Sequence, residues 1–241
     1  MYKKESAFGL ATAPGTLHGT RSRVVALFAD MRGFSNWSET RPLDHVAALV
    51  KTQFERVSQV CGRHDQPFRK FMGDGFVLLW EPAADDDLPR CLAIALDAAF
   101  ELHHDYSQQL DVHGGPAPAG YGIGISVGEA IRIQFEGPAA DRGEVDFVGY
   151  PLNCAARMQT LACGYGTVVC ATTASILVDD PERFLHTGAT RLCRKLLPPE
   201  PDMLARAAVT KGLKPTDRTG FRHLSFTDGQ DWAWQATGVP Q

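Results

Sequence analysis

The stretch that decides the fold is Val24-Val25-Ala26-Leu27-Phe28-Ala29-Asp30, an apolar run that ends in a carboxylate. Its β-branched and aromatic residues predict a buried strand over about residues 23–30. Two further runs, 68–72 and 76–80, flank the turn Gly73-Asp74-Gly75 and predict a β-hairpin. A carboxylate beside buried strands is costly unless a cation meets it, so Asp30 and Asp74 are the first candidates for a functional site.

Two explanations of these aspartates are open at this point. Aspartate is common in turns and caps, so either residue alone is compatible with a purely structural role. Two carboxylates on neighbouring strands are also the ligand pair that two divalent cations require for phosphoryl or nucleotidyl transfer. The residues around Asp30 and Asp74 therefore determine whether the structural role or the metal-binding role is favoured.

Composition narrows the class of protein. The 241 residues are 44% hydrophobic, enough for one sizeable core, and the net charge of −4 favours neither nucleic acid nor an anionic membrane as partner. No apolar run approaches ~18 residues, so we expect no transmembrane helix. No apolar segment follows the charges of residues 1–6, so we expect no secretory signal. The six cysteines form no C-x-x-C pair, which is typical of reduced cysteines in a cytoplasmic protein.

Patterning along the chain predicts one domain, residues 22–241, behind a flexible N-terminal arm of residues 1–21. Apolar residues at helical spacing predict helices at about 42–63, 88–106, 151–161 and 172–178. After the first hairpin we expect strands at about 121–128, 130–135, 144–148, 167–170, 221–226 and 232–236. The strands at 121–128 and 130–135 are expected to form a hairpin, and residues 179–215 show little periodicity.

The order strand, helix, hairpin, helix, strand predicts an α+β fold of the ferredoxin-like βαββαβ type. Its antiparallel-rich sheet would be covered by helices on one face and followed by a C-terminal extension. In that plan the first strand and the hairpin strands are central neighbours. Asp30 and Asp74 would then meet at one edge of the sheet.

Four segments, in order, resemble class III nucleotidyl cyclases: FADMRGFS at 28–35, KFMGD at 70–74, GIGISVGE at 122–129 and DFVGYPLNCAARM at 146–158. The resemblance covers about residues 24–173 well and the tail loosely. It implies a phosphorus–oxygen lyase that converts a nucleoside triphosphate into a 3′,5′-cyclic nucleotide and pyrophosphate. It also implies the class III fold, which agrees with the βαββαβ pattern.

The resemblance implies a two-metal site. Asp30 and Asp74 would be the carboxylate ligands of two Mg²⁺ or Mn²⁺ ions, with the backbone carbonyl of Met31 as a further ligand. One ion would lower the pKa of the ribose 3′-hydroxyl, and the other would hold the triphosphate. The backbone N–H groups of residues 32–35 enter a helix and would point at the phosphates, with Gly33, Phe34 and Ser35 as the substrate-binding residues.

The resemblance assigns Asn153 to the ribose and Arg157 to the charge that develops on the α-phosphate. These residues are four apart, so they share one helix face, and a guanidinium is planar, permanently charged and bidentate. In isolation, Arg157 would be better explained as a solvated helix residue, and the surrounding N-x-A-x-R-M pattern favours the functional role. Lys211 would bind the terminal phosphates, and Lys214 is a rival for that role.

The sequence is less informative about the nucleobase of the substrate. Lys70 and Asp146 lie where adenylate-type members carry a base-reading pair, and a Lys donor with an Asp acceptor suits adenine or uracil. The short, almost wholly catalytic chain resembles the stand-alone pyrimidine cyclases of Pycsar antiphage systems, so we expect UTP and cyclic UMP, with ATP as the alternative. The resemblance further implies a homodimer with sites at its interface and a separate cyclic-nucleotide effector protein.

Other classes of protein fit these residues less well. An inactive nucleotide-binding homologue is less favoured, because both aspartates, Asn153 and Arg157 are all present. A diguanylate cyclase would carry a Gly-Gly-Asp/Glu-Glu-Phe turn, whereas this chain has Met72-Gly73-Asp74-Gly75-Phe76. A P-loop protein is excluded at the motif level, because G-x-x-x-x-G-K-[ST] is absent from the sequence.

Overall fold

The structure is a computed structural model and describes residues 8–12, 15–107, 118–136, 145–179 and 196–225. Its strands are β1 Phe8–Thr12, β2 Gly15–Met31, β3 Phe68–Met72, β4 Gly75–Trp80, β5 Tyr121–Glu136, β6 Val145–Val148, β7 Gly166–Val169 and β8 Arg222–Ser225. Its α-helices are α1 Phe34–Glu39, α2 Leu43–Arg63, α3 Leu88–Ser107, α4 Tyr150–Leu161, α5 Ala171–Asp179, α6 Pro201–Val209 and α7 Pro215–Thr219. A short 3-10 helix, Asp85–Asp87, precedes α3.

One eight-stranded sheet joins all of these strands, with the central order β3-β4-β2-β5-β7-β8. Strand β1 pairs with β2, and β6 pairs with β5. Only the β5–β7 pair is parallel among the described pairs; the others are antiparallel. The unit from β2 to β5 has the predicted βαββαβ order, so the α+β fold with an antiparallel-rich sheet is confirmed.

Helices cover both faces of the sheet, not one as the sequence predicted. Alternate β2 residues from Val25 to Met31 pack in one core cluster with α2, α3 and α5. The intervening residues Val24 and Ala26 pack with Ala155 of α4 on the opposite face. The two helices of the βαββαβ unit, α2 and α3, do lie on one face of the sheet, as predicted. Helix α4 covers the opposite face.

The two central strands of the sheet, β2 and β5, are both longer than predicted. Strand β2 begins at Gly15 and pairs with β5 from Thr16 to Met31, so the described residues 8–12 and 15–21 are strands where a loose arm was expected. Strand β5 runs unbroken through Gly128, where a hairpin was expected. Gly128 pairs with Val24, and a Cβ there would lie 2.8 Å from Pro151 Cγ, so this glycine makes room for α4 and does not form a turn.

The C-terminal part contains more structure than its weak periodicity indicated. Helices α6 and α7 lie within the segment 179–215 or at its end, and Met203 and Ala207 of α6 pack with Met158 of α4. The late strand is confirmed at Arg222–Ser225, whereas the one expected at 232–236 lies outside the described residues. Within the part of the chain that the structure describes, no helix is long and apolar enough to cross a membrane.

Candidate functional site

Asp30 and Asp74 meet at one end of the sheet, as predicted. Asp30 pairs in register with Gly75, the residue after Asp74, and a Cβ on Gly75 would lie 3.2 Å from Asp30 Oδ1. Burial, followed by the negative charge of Asp30, raises the pKa of Asp74. Two partly exposed carboxylates that repel each other are a fit site for divalent cations, because an added positive charge would relieve the repulsion.

Gly33 sets the direction of the chain after these carboxylates. Its φ of 77° is left-handed, which costs a glycine little, and it forms the N-cap of α1. Its carbonyl accepts a hydrogen bond from the Trp37 N–H at 3.0 Å. Phe34 and Ser35 therefore stand in the first turn of a helix that starts four residues after Asp30, and their contact with phosphate stays a prediction. So does the role of the Met31 carbonyl.

Arg32 is the residue of this loop whose side chain sequence reasoning did not single out. Its Nη1 lies 3.4 Å from Asp30 Oδ2, and its Nη2 donates to the carbonyl of Gln159 near the end of α4. Burial lowers the pKa of Arg32, although the nearby Asp30 opposes that shift. A sequence signal existed, because an arginine two residues after a strand-end aspartate lies within reach of it.

Lys70 and Asp146 form a direct ion pair, with Lys70 Nζ 2.7 Å from Asp146 Oδ2. The rings of Phe68 and Phe147, 5.1 Å apart and edge to face, pack β3 against β6 beside this pair. Burial alone would raise the pKa of Asp146, but the hydrogen bond from Lys70 and one from the Phe147 N–H outweigh it and lower that pKa. Two residues that are 76 positions apart thus present a donor and an acceptor together.

Asn153 and Arg157 lie on the exposed face of α4, one turn apart. The opposite face of the helix touches the sheet so closely that a Cβ on Gly124 would lie 2.0 Å from the Ala155 carbonyl and 2.3 Å from the Gln159 nitrogen. Arg157 therefore points away from its own sheet. Among the described residues, no hydrogen bond or ion pair joins it to Asp30 or Asp74.

The two candidate phosphate lysines lie in the turn between α6 and α7. Lys211 is exposed and precedes Gly212, whose φ is 88°. Lys214 is held against α4, because its Nζ lies 4.2 Å from the centre of the Tyr150 ring and its N–H donates to the Tyr150 hydroxyl. Lys211 is thus the less constrained of the two, and its assignment stays a prediction.

The chain is similar to known proteins in sequence and in fold. No family model matches the chain. Over 170 residues the chain is 28% identical to "Adenylate cyclase 1" of Rhizobium meliloti (strain 1021). This match covers 65% of this chain and 23% of that protein. The chain spans about a quarter of the length of the curated relatives it matches.

Two solved structures show the same fold. The adenylyl cyclase CyaB from P. aeruginosa superimposes with a TM-score of 0.60 at 18% identity, covering 66% of this chain and 82% of that one. The guanylyl cyclase Cya2 superimposes with a TM-score of 0.56 at 25% identity, covering 66% and 79%. About two thirds of this chain therefore has the fold of these two cyclase structures.

Proposed function

We propose that this chain, which contains a class III adenylyl/guanylyl cyclase-like domain, converts a nucleoside triphosphate into a 3′,5′-cyclic nucleotide and pyrophosphate. The observation that carries the proposal is the meeting of Asp30 and Asp74 at one end of the sheet. The Lys70–Asp146 pair and the exposed Asn153 and Arg157 supply, in the same chain, groups suited to base, ribose and phosphate.

Asp30, Asp74 and the Met31 carbonyl would hold two divalent cations, Mg²⁺ or Mn²⁺. When bound, such cations lower the pKa of the ribose 3′-hydroxyl and neutralise the triphosphate. The chain supplies the remaining charge: Arg157 would stabilise negative charge on the α-phosphate, and Asn153 would orient the ribose. Gly33, Phe34, Ser35 and Lys211 would bind the β- and γ-phosphates.

A homodimer would bring Arg157 of one copy to Asp30 and Asp74 of the other copy. Arg157 faces away from the sheet that carries Asp30 and Asp74, because the opposite side of α4 packs on Gly124. An arginine that points outward can complete a site on a second copy of the chain. A two-fold dimer would then contain two equivalent sites, each with carboxylates from one copy and Asn153 and Arg157 from the other.

The base is the finer question, and two nucleotides suit the Lys70–Asp146 pair. For adenine, Lys70 would donate to N1 and Asp146 would accept from the N6 amine. For uracil, Lys70 would donate to a carbonyl and Asp146 would accept from N3–H. The curated relative is called an adenylate cyclase, which supports ATP. UTP is the nucleotide that the sequence favoured, and we retain it as the second candidate substrate.

The expected role in antiphage defence, through a separate effector protein in the cytoplasm, stays a prediction. It depends on the likeness to stand-alone pyrimidine cyclases. Cyclic-nucleotide measurements during phage infection test it directly: the role requires a rise in the cyclic nucleotide, and an unchanged level in cells that resist infection through this system would contradict it.

The experiment for the proposed function is a substrate panel. Purified protein is incubated with ATP, GTP, CTP or UTP and either Mg²⁺ or Mn²⁺, and the products are identified by mass. We expect one cyclic nucleotide and pyrophosphate, and none from Asp30→Ala protein. Failure to form a cyclic product from any of the four nucleotides, with nucleotide binding intact, would favour an inactive homologue and overturn the proposal.

A further inference from the structure

We infer that Arg32 is an internal counter-cation of the metal site. Its guanidinium pairs with Asp30, and a divalent cation that binds Asp30 competes with it for that carboxylate. The inference rests on the proposed function, because it takes Asp30 to be a metal ligand. It adds a residue that sets metal affinity without itself ligating the metal.

The guanidinium of Arg32 makes two contacts at once. Its Nη1 lies 3.4 Å from Asp30 Oδ2, and its Nη2 donates to the Gln159 carbonyl. The arginine side chain is 23% exposed, whereas that of Asp30 is 43% exposed. The cation is thus anchored on α4 and reaches from there to the carboxylate, which still has an open side.

Backbone hydrogen bonds and close packing hold Arg32 in place, unlike an arginine on an open surface. Its N–H donates to the Gly120 carbonyl at 2.8 Å, and its own carbonyl accepts from the Ala119 N–H at 2.7 Å. A Cβ on Gly122 would lie 2.1 Å from Arg32 Nη2, so the guanidinium occupies space that only a glycine leaves open. Backbone and side chain are therefore both fixed beside Asp30.

Competition with the metal follows from this placement. A cation within ion-pair distance of a ligand carboxylate neutralises part of the charge that attracts the metal, and it repels the incoming ion. On metal binding, Arg32 would lose its contact with Asp30 and keep its hydrogen bond to Gln159. The loop that follows Asp30 and Met31 would then stay joined to the helix that carries Asn153 and Arg157.

The test measures Mn²⁺ affinity without nucleotide, by electron paramagnetic resonance of the free ion. Arg32→Met removes the charge and keeps the length of the side chain, so we expect Mn²⁺ to bind roughly fivefold more tightly than in the unaltered protein. Arg32→Lys retains the charge and should bind Mn²⁺ nearly as the unaltered protein does. Arg90→Met, the matched control, removes an exposed arginine that pairs with Asp65 and should change nothing.

A second readout is thermal unfolding in EDTA. Arg32→Met should lower Tm in EDTA, and Mn²⁺ should raise Tm further in this variant than in the unaltered protein. Where Arg32→Met does not fold, Arg32→Gln also removes the charge but keeps a polar side chain, and it gives the same test.

Three results would overturn the inference, and they are distinguishable. Unchanged or weaker Mn²⁺ binding in folded Arg32→Met, with Asp30→Asn losing binding, overturns the role of Arg32 and leaves the metal site standing. Equal Mn²⁺ binding by Asp30→Asn and the unaltered protein overturns the metal site and the inference together. Tighter Mn²⁺ binding in Arg90→Met as well would show that the loss of any positive charge strengthens binding. That result would also overturn the inference.

Discussion

The two faces of β5 differ in what their side chains do. On the face covered by α2 and α3 the strand presents Tyr121, Ile123, Ile125 and Val127, all buried; on the face covered by α4 it presents Gly122, Gly124, Ser126 and Gly128. Large side chains fill the space between sheet and helices on the first face. On the second, missing side chains let Arg32, α4 and Pro151 approach the strand directly.

This difference shows how one strand serves stability and function together. The α2/α3 face buries apolar area and so contributes to the free energy of folding. The α4 face carries Asp30 by the same alternation along β2, and it places α4 so that Asn153 and Arg157 point outward. Substitutions on the α4 face should therefore affect catalysis or the packing of α4 on the sheet, and those on the other face should affect stability without a direct effect on the site.

The largest expected effect is on the α4 side, at the carboxylates. Asp74→Asn keeps the shape of the side chain and removes its charge, so we expect turnover to fall by ~10³-fold or more, because the metal site loses a ligand. Stability without metal should not fall, because the pKa of Asp74 is raised and its charge is unfavourable there. Product formation and thermal unfolding in EDTA measure the two effects. A variant that retains full turnover would contradict the assignment.

Next in size is a packing effect at the α4 face. A Cβ in Gly124→Ala would lie 2.0 Å from a backbone oxygen of α4, so we expect a loss of about 3 kcal/mol in the free energy of unfolding. Gly62→Ala is the control, because nothing lies within 4 Å of a Cβ at that helical position. It should stabilise the protein by about 0.5–1 kcal/mol. Urea unfolding of both variants measures this, and equal effects would contradict the close approach of α4.

The smallest effect is a pH dependence on the α2/α3 side. Burial raises the pKa of Asp97 to about 6; nearby His64 opposes this shift, and Glu101 adds to it. The folded state then holds a proton that the unfolded state releases, so stability falls as pH rises from about 4 through 6. We expect Asp97→Asn to stabilise the protein by about 1–2 kcal/mol at pH 7.5 and by much less at pH 4. The same gain at both pH values would contradict the raised pKa.

Sequence patterns predicted the parts of the fold that depend on apolar alternation. The hairpin of β3 and β4 and the helices α2, α3 and α4 begin and end within about two residues of the predicted positions, because their apolar spacing is regular. The meeting of Asp30 and Asp74 followed from strand order alone. These are local signals that tertiary packing did not override.

What the sequence could not predict depends on close backbone approach. Glycine is typical of turns, and only the position of Pro151 explains why Gly128 stands within a continuous strand. Arg32 acquires its partners because Gly122 and Gln159, far away in sequence, lie beside it. The extension of β2 back to Gly15 likewise depends on the outer half of β5, which residues 1–21 alone do not reveal.

The claim that the outward face of α4 completes a site on a second copy of the chain has one direct test. Asp30→Ala and Arg157→Ala proteins are each expected to be inactive or nearly so, with kcat lowered ~10²-fold or more for Arg157→Ala. Mixed into a verified heterodimer, they should recover cyclase activity, because one of the two sites then has an intact Asp30 and an intact Arg157. Full kcat in Arg157→Ala alone, or no recovery in the heterodimer, would contradict the account.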